Sequence, residues 1–195
     1  MACIIFTSCK DVQCPAFGTE DKMNWLPQSV AEEIIFYREG TNKQIRFMVR
    51  ENFGSAAYTH EAESIGRPPH DCKVKGHITA IDSTTNMSYS IRIESEYYED
   101  VENLRYLNYR LNDFGNSFKL YPLLEMQNVI GNQSMHRDSI KSQLTLGGKT
   151  YENVIIQTRN MDSISGINFK VNKVYLAAGH GIIGFVDKEG SLYHR

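Results

Sequence analysis

The segment 87–94, read "MSYSIRIE", alternates without a break: Met87, Tyr89, Ile91 and Ile93 fall on one side, and Ser88, Ser90, Arg92 and Glu94 on the other. Only an extended chain places every second side chain on the same face, so this stretch specifies a strand with one face in a core and one in water. The same period recurs at 44–49 through Ile45, Phe47 and Val49, at 73–81 through Val74, Ile78 and Ala80, and at 105–111 through Leu107, Tyr109 and Leu111. Turn chemistry separates these runs, at Glu39-Gly40-Thr41-Asn42, Asp82-Ser83-Thr84-Thr85-Asn86, Asn112-Asp113-Phe114-Gly115-Asn116 and Gly147-Gly148. Segments 150–158, 172–178, 181–187 and 191–193 continue the series of short strands joined by tight connections.

The expected fold is therefore mainly β: a single-domain antiparallel barrel or half-barrel with a lipocalin-like curl, with a β-sandwich as the alternative and few short helices. Eleven Tyr and nine Phe against five Pro fit that class, because aromatic side chains suit a pleated, half-buried surface. A chain of 195 residues can bury one sizeable core, and no low-complexity linker divides it. Helix signals are sparse. Ser29-Val30-Ala31-Glu32 has the form of a capping box and Gly40 could stop a helix over 30–39, but Ile34-Ile35-Phe36-Tyr37 favours a strand running into a hairpin.

Gly179-His180-Gly181-Ile182-Ile183-Gly184 matches the G-x-G-x-x-G pattern that cradles a dinucleotide pyrophosphate. That pattern needs a following helix and an acidic residue about 20 positions on. Only eleven residues follow Gly184, and they read as strand and turn. Gly179, Gly181 and Gly184 are thus expected to be structural, placed for a turn and for close backbone approach, and no cofactor is implied.

The charge balance is -2 with both signs interspersed, which offers no basic field for nucleic acid. Catalytic and metal patterns are equally sparse. The tightest histidine grouping, His60, His70, Cys72 and His77, lacks the paired spacing of a zinc site, and His60-Glu61 lacks the second His of a zincin. No metal ligands and no catalytic residues are assigned. Glu96, Glu99, Asp100 and Glu102, interleaved with Tyr97 and Tyr98, read as a solvated acidic loop. Their alternative role is as the paired carboxylates of a polysaccharide hydrolase.

The cysteines point to location. Ala2 to Phe6 form an apolar run, then Thr7-Ser8 precede Cys9, an arrangement that resembles the lipobox closing a bacterial lipoprotein signal peptide. On this reading residues 1–8 are the remnant of the signal, Cys9 carries the lipid, 9–30 form an extended tether and 31–195 form the β domain. Cys3 leaves with the signal, and Cys14 and Cys72 remain as a disulfide pair in an oxidising compartment. The loop between them spans about 58 residues, and its closure would contribute roughly 4 kcal/mol in the chain-entropy model.

Three stretches taken together, the "TSCKD" start, Trp25-Leu26-Pro27 leading into "IIFYREGTNKQIRF", and the closing "NKVYLAAGHGIIGFVDKEGSLYH", resemble the uncharacterised β-rich lipoproteins of Bacteroidetes-type bacteria. The resemblance implies a protein anchored in the outer membrane, on its periplasmic or surface face, with Lys10-Asp11 similar to a short surface-export tag. It further implies O-linked glycans at Ser83, Ser139 and Ser163, within Asp82-Ser83-Thr84, Asp138-Ser139-Ile140 and Asp162-Ser163-Ile164. The expected function is a non-catalytic binding or structural role in the envelope. Its partner would be the membrane through the lipid, plus a protein, a glycan or an apolar ligand held in the mouth of the curled sheet.

Overall fold

The computed structural model describes residues 23–59, 71–98, 101–120, 126–127, 136–159 and 170–195. The first meander comprises β1 (Glu33–Arg38), β2 (Gln44–Thr59), β3 (Asp71–Asp82), β4 (Met87–Tyr98), β5 (Val101–Leu111), β6 (Phe114–Leu120) and β7 (Met126–Gln127). The second comprises β8 (His136–Leu146), β9 (Lys149–Arg159), β10 (Val171–Ala177), β11 (Gly181–Asp187) and β12 (Leu192–His194). One antiparallel sheet joins them in the order β7-β6-β5-β4-β3-β2-β1-β12-β11-β10-β9-β8. Every neighbour is also a sequence neighbour except at the splice, where β1 meets β12 through Tyr37↔His194 and Arg38↔Tyr193.

The sheet curls into a half-barrel whose two walls touch. Seven strands separate β5 from β9 in the sheet order, yet the Tyr109 hydroxyl on β5 donates to Gln157 Oε1 on β9. Beside that contact the Arg159 guanidinium lies 4.9 Å from the centroid of the Phe114 ring, and its Nη2 donates to the Asp113 carbonyl at 3.2 Å. Such curling follows from the twist that adjacent strands accumulate.

Among the described residues, apolar side chains pack on the concave face. The inward rows are the alternating sets of the sequence: Ile34 and Phe36; Phe47 and Val49; Val74, Ile78 and Ala80; Met87, Tyr89, Ile91 and Ile93; Leu107, Tyr109 and Leu111. Val174, Leu176, Ile182 and Phe185 meet them from the opposite wall. Phe36 makes edge contacts with Phe47 and Phe185 at 5.8 and 5.4 Å, and Tyr193 stacks on Phe185 at 4.7 Å. Each such ring contributes about 1.5–3 kcal/mol by burial. Within the segment read as a tether, Trp25, Leu26 and Gln28 belong to the buried set.

The capping-box residues form a turn that leads into a strand. Glu32 accepts from the Ser29 N–H at 2.8 Å, as a capping box requires. Ala31, however, adopts φ 68°, which no helix accommodates. Its N–H then donates to the Val49 carbonyl, and Val49 N–H to the Glu32 carbonyl, so the turn is stitched to β2 and β1 begins at once.

A second apolar cluster sits on the other face. Leu146, Tyr151, Val154, Ile156, Ala177 and Ile183 pack together there, with Tyr175 and Leu192 against them. β9 pairs with β10 only from Ile155 to Thr158. Before that it bends at Asn153, whose φ is 50°, and the β8–β9 tip folds over the outside of β11 and β12. Gly147 at the tip abuts the His194 ring, and Leu146 packs beside Gly184.

Candidate functional site

The Gly179–Gly184 stretch is the β10–β11 hairpin turn and the start of β11. Gly181 has φ 72°, and a Cβ there would come within 2.7 Å of both Ile91 Cδ1 and Tyr89 Oη. Gly184 is excluded from bearing a side chain by the Tyr193 carbonyl, 2.8 Å from its Cβ position. Strand continues after Gly184, so no helix N-terminus exists to meet a pyrophosphate. The carbonyl of His180 accepts two hydrogen bonds, from Gln28 Nε2 at 3.2 Å on the inner side and from Arg195 Nη1 at 2.6 Å.

Beneath this turn the interior is closed around polar atoms. Trp25 Nε1, Gln28 Oε1 and Tyr89 Oη are buried without hydrogen-bond partners. Burial pushes the Tyr89 phenol up to about 12, opposed by the nearby Arg195 charge and, more weakly, by the Ile182 backbone.

Among the described residues an open concavity lies on the outer face, over β1 to β3. Register builds it: Glu33 pairs with Met48, and Met48 pairs with Ile81, so the three form one row across the strands. A β-bulge follows, with Val49 opposite Ala80 and Glu51 opposite Thr79, leaving Arg50 as the extra residue. Bulges re-aim side chains, and Arg50 lines the groove. The groove holds about 500 Å³, bounded by Val30, Glu33, Arg46, Met48, Arg50 and Ile81, with the 82–84 turn at its end. A shallower depression of about 350 Å³ adjoins it at Val30, against Glu51, Asn52 and His77. Val30 is 58% exposed and Ile81 45%. Arg46 Nη1 lies 3.4 Å from Glu33 Oε2, and His77 Nε2 lies 3.4 Å from Glu51 Oε2.

Asp82 is buried and committed to its turn. It accepts from the N–H groups of Thr84 and Thr85 at 2.9 and 3.2 Å, and from the Thr85 hydroxyl. An Asx turn thus accounts for Asp82-Ser83 locally. Ser83 stands exposed at the groove wall. Ser139 lies exposed on β8, within a strand rather than a loop, and Ser163 lies outside the described residues.

The remaining sequence-derived positions fall as follows. Cys3, Cys9 and Cys14 lie outside the described residues, and Cys72 is on β3 between Thr59 and Tyr97 in register. The Cys14–Cys72 pair and the lipid site are therefore carried by sequence alone. His60 and His70 lie outside as well; Cys72 and His77 are five positions apart on one strand, about 17 Å of extended chain. Glu99 and Asp100 lie outside, while Glu96 and Glu102 belong to β4 and β5, which run on to pair Tyr98 with Val101. The described part of the acidic run thus lies in strands, β4 extending to Tyr98 and β5 starting at Val101. Among the described residues no three His, Cys, Asp or Glu side chains converge as a metal site would require, and no helix is long and apolar enough to cross a membrane.

Residues of the outer groove carry a signal in the sequence. Met48 sits between Phe47 and Val49, and Ile81 follows Ala80, so each is an apolar residue on the polar side of an alternation. Comparison of the chain with protein-family models, with curated proteins and with solved structures finds no match.

Proposed function

We propose that this chain is a non-catalytic binding protein of the cell envelope, tethered by a lipid on Cys9, that docks a partner protein on its outer face over β1 to β3. The groove itself carries the reading. Val30, Met48 and Ile81 form an apolar centre with Glu33, Arg46 and Arg50 around it, the pattern of an apolar core with a charged, Arg-containing rim that protein interfaces share. Phe36, Phe47, Tyr89 and Phe185 pack together inside the curl, and the docking proposed here uses the outer face.

In the native host, mass spectrometry of the membrane-extracted protein is expected to show an acylated N-terminal peptide beginning at Cys9, with Cys14 and Cys72 unreactive to thiol labels before reduction. An unmodified peptide that retains Met1 would contradict the tether. A glycan on Ser83 would contradict the protein-docking assignment, because Ser83 lies on the groove wall and its sugar would cover the apolar row.

A further inference from the structure

The β8–β9 tip, the β10–β11 turn and the chain beyond β12 bring cationic side chains to one corner. Lys149 opens β9 and Tyr151 follows two positions on, on the same face of an extended strand. The Tyr151 ring meets the His180 ring edge-on at 5.1 Å. Arg195 is fixed to the same turn, with Nη1 on the His180 carbonyl at 2.6 Å and its own N–H on the Ile183 carbonyl at 3.1 Å. That one bond leaves most of the five donors of the guanidinium for other acceptors.

The charges at this corner act on one another in one direction. His180 is held below the usual imidazole range by burial, then by Arg195, then by Lys149. The Arg195 charge also favours ionisation of the Tyr151 phenol, against the larger effect of burial. Cations brought close together repel, and an anion placed among them relieves that repulsion while gaining charge-assisted hydrogen bonds.

We propose that Lys149, His180 and Arg195, with the Tyr151 hydroxyl beside them, bind a phosphate group. The Lys149 and Arg195 cations, with the His180 imidazole and the Tyr151 hydroxyl as further hydrogen-bonding groups, suit a phosphate, and the guanidinium can meet two phosphate oxygens at once. The site is separate from the β1–β3 groove, so either assignment can fail without the other. Its phosphate can be free inorganic phosphate or the phosphate of a lipid headgroup.

Two arms of one experiment decide it. Inorganic phosphate is titrated into the full chain while the His180 and Tyr151 resonances are followed, with sodium chloride of equal ionic strength as the control for screening. Vesicles of phosphatidic acid in phosphatidylcholine are compared with phosphatidylcholine alone. A saturable shift with phosphate, or retention on phosphatidic acid vesicles, is expected, and both are expected to weaken by about tenfold or more in Lys149→Ala/His180→Ala. Both replaced residues are exposed, and Lys173→Ala serves as the control that keeps wild-type behaviour. As a second readout, sulfate, whose charge is constant across the range, is expected to raise the His180 pKa beyond what chloride does. No saturable response in either arm, or an equal response in the double variant, overturns the proposal.

Discussion

Gly181 shows how a single position can be read two ways in sequence and one way in space. Its left-handed backbone and the contacts awaiting a Cβ both exclude a side chain. Gly190 has the backbone (φ 82°) without the contacts, which separates the two effects. Gly190→Ala is expected to cost about 1 kcal/mol for conformation alone, and Gly181→Ala about 2–4 kcal/mol because Tyr89 or Ile91 must also move, as urea unfolding will measure. Tyr89 itself supports a pH prediction. In the unfolded chain its phenol loses the proton near pH 10, and in the folded protein near 12. Between those values only the unfolded chain sheds the proton. Stability is therefore whole below about pH 10 and falls as pH rises toward 12, by about 2–3 kcal/mol. Tyr89→Phe is expected to flatten that limb, and at neutral pH to be neutral or stabilising, since the hydroxyl it removes has no partner. Asp82→Ala, in contrast, strips three donors of their acceptor and is expected to cost about 1–3 kcal/mol.

At the scale of elements, legibility followed burial on one face. The inward rows of β2 to β5 stand out in sequence because their other face meets water, and period 2 is then visible. β8 has no such contrast: residues 139 to 143 are all exposed, and "HRDSIKSQLTL" shows no alternation to read. β6 begins at Phe114, inside what the Asn112–Asn116 composition reads as a turn, because Gly115 closes against the β5 backbone, 2.8 Å from the Tyr109 carbonyl to its Cβ position. The outer groove was only half legible. Met48 and Ile81 break the alternation, but that they lie side by side depends on register, and the aim of Arg50 on a bulge that no local pattern announces. The Asn153 bend is similar: Asn tolerates positive φ, yet only the structure shows the strand leaving β10 there. Asn153→Gly is expected to be near neutral and Asn153→Val to cost about 1–2 kcal/mol, with the loss appearing first as faster amide exchange in the β8–β9 tip.

For the whole molecule, the splice of β1 with β12 converts two meanders into one curled sheet, and the contacts between β5 and β9 press its walls together. Among the described residues, the aromatic side chains that announce a β protein in the sequence pack inside the curl. On the outer surface, the groove over β1 to β3 gathers apolar and charged groups on paired strands, and the proposed docking rests on it. The most direct measurement is the affinity of any protein that co-purifies stoichiometrically with this chain, compared between wild type and Met48→Glu/Ile81→Glu, with unfolding of both followed in parallel. Binding weakened by about a hundredfold at unchanged stability is the expected result. Equal affinity of the two forms, or the absence of any stoichiometric partner, would contradict it.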